Sequence, residues 1–208
     1  MKARTAGFSL ALLAALSFAA GAQTQRGISP GAIPIEQEPQ HKVAFKNDFV
    51  RIIDASLPPG YVTKDHIHVA DSVSVNVANG REGEEALRGL GRAGFSRGGF
   101  SHIVTNSNKA IVRYIVVEPI KSDRPGAAAA ATANHSLESE NDRVRIYRVR
   151  LAGGESLEAH SHSAGYVEVV TIAGSQAPGT FAWVPARESR TLKAPAGGPM
   201  EVVEVEPK

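Results

Sequence analysis

From residue 41 onward the chain runs in short apolar blocks punctuated by glycine, proline and asparagine. SVSVNVANG (72–80) alternates from Val73 to Val77 and stops at a turn signal. Alternation with period two gives a strand one face for a core and one for its opposite side. VRIIDASL (50–57) and VRIYRVRL (144–151) are rich in β-branched residues and run into Pro-Pro-Gly and Ala-Gly-Gly-Glu turns. SHIVTN, AIVRYIVVEP and MEVVEVEP read the same way, whereas EGEEALRGL supports only a turn or two of helix. Short strands with turns between them predict an all-β fold of sandwiches or small barrels.

The pattern occurs twice. Residues 41–80 align without gaps on 135–174, an offset of 94 (135 − 41), with 14 of 40 positions identical. The identities include His41/His135, Asn47-Asp48/Asn141-Asp142, Gly60/Gly154, His66/His160 and His68/His162. VVEP (116–119) falls on EVEP (204–207) at an offset of 88 (204 − 116). The chain is therefore read as a duplication, with one unit at 41–120 and another at 135–208. KSDRPGAAAAATAN (121–134) reads as an Ala-rich linker, and the proline-broken stretch 23–40 as an extended or disordered arm.

Residues 1–22 carry Lys2 and Arg4, an apolar run and then Ala20-Gly21-Ala22, the layout of a secretory signal cleaved after Ala22. A bacterial periplasm is the expected address. Cleavage would remove two of the 23 Lys+Arg and leave 21 against 21 Asp+Glu, a net charge near zero. With no basic run interleaved with aromatics, nucleic acid is not an expected partner. No later segment is apolar enough to span a bilayer, so no membrane partner is expected either. The chain has no cysteine, which leaves His, Asp and Glu as the side chains to hold a metal.

His66-Ile67-His68 puts two imidazoles on one face of a strand, about 6.5–7 Å apart, from where both can converge on one ion. Gly60-x5-His66-x-His68 has the spacing of the first motif of the cupin superfamily, and Gly99-x2-His102-x3-Asn106 matches the core of the second. Gly154-x5-His160-x-His162 repeats the first motif and is followed by Trp183-Val184-Pro185. The chain resembles a bicupin, two tandem jelly-roll barrels joined by the Ala-rich linker. The resemblance implies a divalent transition metal (Fe, Mn, Zn, Ni or Cu) on His66, His68 and His102, with the usual glutamate replaced by Ser74. In the second unit it implies a weaker site of His160, His162 and Glu168, with Arg190 where the second-motif histidine would stand. A guanidinium has no lone pair to offer a cation. Arg190 is therefore read either as pairing with Glu168 in place of the metal or as binding an anionic ligand.

Three functions from different classes remain open at this point. The first is a metal-dependent enzyme acting on a small organic molecule, with dioxygenation the first reaction to test because three-His cupins include oxygen-using enzymes. The second is a non-catalytic barrel that binds a small ligand or a metal, and the third a degenerate structural bicupin. No general acid or base stands out. Asp65 is adjacent to His66 and expected to face away, while Asp71, Glu84 and Glu85 would serve only if the loop 79–99 folded over the mouth. His41 and His135 are read as exposed or structural, and Glu118 and Glu206, which close the last strands, as shared architecture rather than catalytic groups. Gly89-x-Gly91-x-x-Gly94 lacks the strand and helix of a dinucleotide site. Cupins often pair through their sheets, which makes a homo-oligomer an open expectation.

Overall fold

The computed structural model describes residues 27–124, 126–172 and 176–208. The expected signal at 1–22 lies outside them. The first half contains β1 (Ile33–Pro34), β2 (His41–Lys46), β3 (Val50–Leu57), β4 (His66–His68), β5 (Ser72–Asn79), β6 (Ala93–Ser96), β7 (Phe100–His102) and β8 (Val112–Pro119). The second contains β9 (His135–Glu140), β10 (Val144–Leu151), β11 (Ser156–His160), β12 (Tyr166–Ile172), β13 (Phe181–Val184), β14 (Arg190–Lys193) and β15 (Met200–Pro207). Two 3-10 turns, Ile35–Gln37 and Gly83–Leu87, are the helical content of the described residues.

Each half is a jelly-roll barrel made of one large and one small sheet. The first combines β2-β3-β8-β5-β6 with β1-β4-β7, and the second combines β9-β10-β15-β12-β13 with β11-β14. Strands β2 to β8 correspond one for one to β9 to β15. The repeated residues are the ones that make the turns. Asn47 Oδ1 accepts the backbone N–H groups of Phe49 and Val50 at 2.8 Å each. Asn141 Oδ1 accepts those of Arg143 and Val144 at 2.7 and 3.0 Å, so the same side-chain-to-backbone turn starts β3 and β10. Gly60 (φ 75°) and Gly154 (φ 83°) turn the chain in the left-handed region that glycine enters without steric cost.

The alternation along the strands separates two interiors. Val50, Ile52, Val73, Val75, Ile115 and Val117 point out of the first barrel and pack on Val144, Ile146, Val167, Val169, Val203 and Val205 of the second. Phe49 stacks on Trp183 across the same contact, 5.5 Å between ring centroids. Fully burying a valine or isoleucine contributes about 1.5–3 kcal/mol relative to leaving it exposed, so this shared core ties the halves together. The intervening residues face the barrel interiors: Ile53 and Val116 in the first, and Tyr147, Tyr166, Glu168, Glu204 and Glu206 in the second. The central strands of the large sheets are covered on both faces, as in β12 and β15, whereas the edge strands β2 and β9 are largely exposed and correspondingly polar.

One expectation is corrected here. The stretch 23–40 was expected to be extended or disordered, but residues 27–40 are docked. Ile33 pairs in parallel with His66, and Ile35 is fully buried against Ile53 and Val116. Its prolines leave room for only a single 3-10 turn, Ile35–Gln37, but they do not prevent burial, and Ile33 and Ile35 anchor the segment. The loop after β5 is held against the second barrel. Gly91 is pressed on Arg148, Glu201 and Thr171 of the second barrel, and Arg148 Nη2 donates to the Gly91 carbonyl at 2.7 Å.

Candidate metal centres

In the first barrel β4 and β7 are antiparallel neighbours, with His66 opposite His102 and His68 opposite Phe100. This register gathers three imidazoles whose candidate ligand nitrogens all lie within 4.8 Å of one another. The ring centroids are 5.2 Å (His66–His68), 4.7 Å (His66–His102) and 4.9 Å (His68–His102) apart. His68 Nε2 and His102 Nε2 face each other at 3.2 Å. Two nitrogens bound to one ion at about 2.0–2.1 Å would lie about 3.0–3.4 Å apart, so the spacing is that of two ligands of one metal. His66 Nδ1 lies 2.9 Å from the carbonyl of Lys64, an oxygen that can only accept, so the ring proton sits on Nδ1. The Nε2 lone pair is then free, and this buried atom has no hydrogen-bond partner among the described residues. A ligand whose second nitrogen is held by a backbone carbonyl is the usual arrangement at metal sites.

A fourth ring completes the cluster. His41, on β2, is buried with its centroid 4.5 Å from that of His66, which corrects its reading as an exposed or merely structural residue. Burial, reinforced by the neighbouring histidines, pushes His68 down to about 3 and His41 and His102 to about 4. These three rings are therefore neutral near pH 7, the form a metal requires. The nearby carboxylates act from outside the triad. Glu38 raises His41 and accepts Tyr61 Oη and the Lys64 N–H at 2.7 Å each. Asp65 raises His102 and has a buried oxygen without a partner, closer to the site than its sequence neighbourhood suggested. Asp71 is engaged by Arg97 and Arg143, both at 3.1 Å. Glu85 pairs with Arg81 and Arg88 at the surface. Neither of these carboxylates is free to serve the triad as acid or base.

The second barrel places His160 opposite Arg190 on β11 and β14, the register that sets His66 opposite His102. Arg190 therefore occupies the position of His102. The carboxylate that meets His160 and His162 is Glu204, not the expected Glu168. Glu204 and Glu168 are neighbours across β15 and β12, and Glu204 is the one that reaches the imidazoles. Its oxygens lie 2.9 Å from His135 Nε2, 3.0 Å from His160 Nε2 and 3.0 Å from His162 Nε2. The outer nitrogens are also matched: His135 Nδ1 to the Ala130 carbonyl at 3.2 Å, His160 Nδ1 to the Arg190 carbonyl at 3.0 Å, and His162 Nδ1 to Glu206 Oε2 at 2.8 Å. Burial alone would raise Glu204, but the hydrogen bonds from His135, His160 and His162 outweigh it and hold the carboxyl far below the usual range. His162 is desolvated too, yet Glu204 and Glu206 raise it. Arg190 reaches Glu168 only at 3.5 Å, and Glu168 is raised by burial despite that neighbour. The expected Arg190–Glu168 pair exists as a long contact beside the cluster rather than as its centre.

His135 and Glu204 are thus the residues that the sequence reading missed as site members. The signal was present: His41/His135 is an identity of the repeat, and Glu204 is an acid where the aligned strand of the first unit has Val116.

No family model and no curated protein matches the sequence. Solved structures do. AerE from Microcystis aeruginosa is 9% identical, with 84% of this chain and 96% of that one covered at a TM-score of 0.57. Salicylate 1,2-dioxygenase from Pseudaminobacter salicylatoxidans is 12% identical, with 77% of this chain and 71% of that one covered at a TM-score of 0.51. At these identities the likeness is one of fold.

Proposed function

The chain has the fold of the cupin superfamily in two tandem copies, and we propose that its N-terminal barrel holds a divalent transition metal on His66, His68 and His102. The observation that carries this reading is the His66 ring, whose Nδ1 is held by the Lys64 carbonyl while its buried Nε2 has no partner. An unmatched buried nitrogen costs about 1–3 kcal/mol, and a ligated ion offsets that cost. When bound, the ion supplies Lewis acidity and an open position for a small molecule. Three neutral nitrogens leave its charge uncompensated, which favours an anionic ligand. Phe100, stacked on His68 at 5.0 Å, gives the site an apolar wall against which an organic acid can lie.

Within this proposal the chain is an exported enzyme, and dioxygenation of a small organic acid is the first reaction to assay. The fold is shared with a salicylate 1,2-dioxygenase, and fold alone does not choose a reaction. Elemental analysis of the purified chain and of His102→Ala, with oxygen uptake measured on aromatic acids, tests the reading. The expected result is one metal equivalent fewer in the variant, together with loss of any oxygen uptake. Equal metal in both proteins would refute the site. Loss of the metal without any uptake in the parent would leave a metal-binding barrel and refute the enzyme.

A further inference from the structure

We propose a second, closed metal site in the C-terminal barrel, in which His135, His160 and His162, each through Nε2, and one Glu204 oxygen hold a divalent ion of the zinc type. It uses different residues from the N-terminal site and does not depend on that reading. Four donors on four elements converge here: β9 gives His135, β11 gives His160, the segment after β11 gives His162, and β15 gives Glu204. The three nitrogens stand 2.9–3.0 Å from the carboxylate oxygens, within a few tenths of an ångström of the separation between donors sharing one small ion.

The surroundings distinguish a built site from a chance cluster. Every outer Nδ1 faces a fixed acceptor (the Ala130 carbonyl, the Arg190 carbonyl or Glu206), so each ring is oriented with Nε2 inward. Glu206 is itself held by Arg145 at 2.6 Å. Glu204 supplies the negative charge that the first site lacks, so the ion's charge is partly neutralised in place. His135, His162 and Glu204 are almost wholly buried. Tyr166 stacks on His162 at 4.1 Å and Tyr147 on His135 at 5.1 Å. Four protein donors, three of them almost wholly buried and His160 largely so, are the mark of a resident ion that stabilises the barrel rather than one that turns over substrate. The linker takes part, because Ala130 orients His135 and the Ala129 N–H donates to Tyr147 Oη at 2.9 Å.

The test compares metal content, after loading with zinc and separately with cobalt(II), in the full chain, His66→Ala/His102→Ala, Glu204→Gln and His160→Ala. Visible absorption of the cobalt form and thermal melts with and without chelator accompany it. The double variant should keep one equivalent with a tetrahedral cobalt spectrum and a melt that chelator lowers. Glu204→Gln and His160→Ala should each lose that equivalent while keeping the one at the N-terminal site. Two variants are used so that a failure of one to fold does not remove the test. A folded double variant with only trace metal would overturn the proposal, as would full retention in folded Glu204→Gln. Neither result bears on His66, His68 and His102, whose failure would show instead as equal metal in the parent and the double variant.

Discussion

The two barrels share a repeat, a turn chemistry and a His-x-His pair, yet their interiors are electrically different. Strand register puts Arg190 where the first barrel has His102. Glu204 and Glu168 stand where it has Val116 and Ser74, and Tyr147 and Tyr166 where it has Ile53 and Ser72. The first interior gathers four imidazoles, and its buried carboxylates Glu118 and Glu38 are engaged by Arg51 and by Tyr61 rather than by the triad. The second surrounds a buried carboxylate with three imidazoles and satisfies the outer nitrogen of each. The lesson is that a duplicated scaffold fixes where side chains point, while a few interior exchanges decide whether the cluster is left open or charge-balanced.

The sharpest way to break this contrast is to remove the charge balance. Glu204→Val gives the second barrel the first barrel's residue and leaves three imidazoles facing a methyl group. Removing one partner of a buried ionic cluster typically costs about 3–5 kcal/mol, and urea unfolding of metal-free protein should show a loss of that size. A loss below about 1 kcal/mol would mean that Glu204 is not central to the second interior.

A second test uses pH on metal-free protein, because the interiors respond with opposite sign. In the first barrel His41, His68 and His102 titrate below the ordinary imidazole value of about 6.5. Below that pH the unfolded chain takes up protons that the folded one refuses, so stability falls with pH until about 3–4. The limit is about 1.4 kcal/mol per ring per pH unit. In the second barrel His162 is raised, so its contribution is complete below about 6.5 and fades as pH climbs through its higher folded value. Glu204 is lowered, so its contribution is complete above about 4.3 and fades as pH drops through its lower folded value. Between pH 6.5 and 5, hydrogen exchange corrected for intrinsic rates should show opening energies falling in β4 and β7 and holding in β11 and β15. Parallel behaviour in all four strands would contradict the contrast.

Smaller effects test where the halves are alike. Asn47→Ala and Asn141→Ala each remove a side-chain acceptor from an equivalent turn and should cost about 1 kcal/mol, equally, in thermal unfolding. An inequality of about 2 kcal/mol would show that the turns are not equivalent. Smallest of all, Arg190→His breaks only long, partly exposed contacts with Glu168 and Glu188 and should change stability by about 1 kcal/mol or less.

Much of this was legible in the sequence. Alternation and turn residues gave the strands, the 94-residue offset gave the duplication, and the spacing of His66, His68 and His102 marked the imidazoles that β4 and β7 bring together. The second cluster was not legible, because its extra members come from the first and last strands of the barrel. Only the pairing of β15 with both β10 and β12 carries Glu204 to His160. Glu168 was the natural choice from local spacing, and its place beside Glu204 shows how one strand's displacement changes the ligand. His41 looked peripheral because it starts a strand, but the strand starts at the site. The docking of Ile33 and Ile35 was hidden by a composition that reads as irregular.

The most direct test is anomalous diffraction from crystals of the full chain grown with a divalent transition metal and collected at that metal's absorption edge. The account predicts a peak in the N-terminal barrel about 2.0–2.2 Å from Nε2 of His66, His68 and His102. Metal-replete crystals with no peak between those rings, or with the rings turned away from one another, would contradict it.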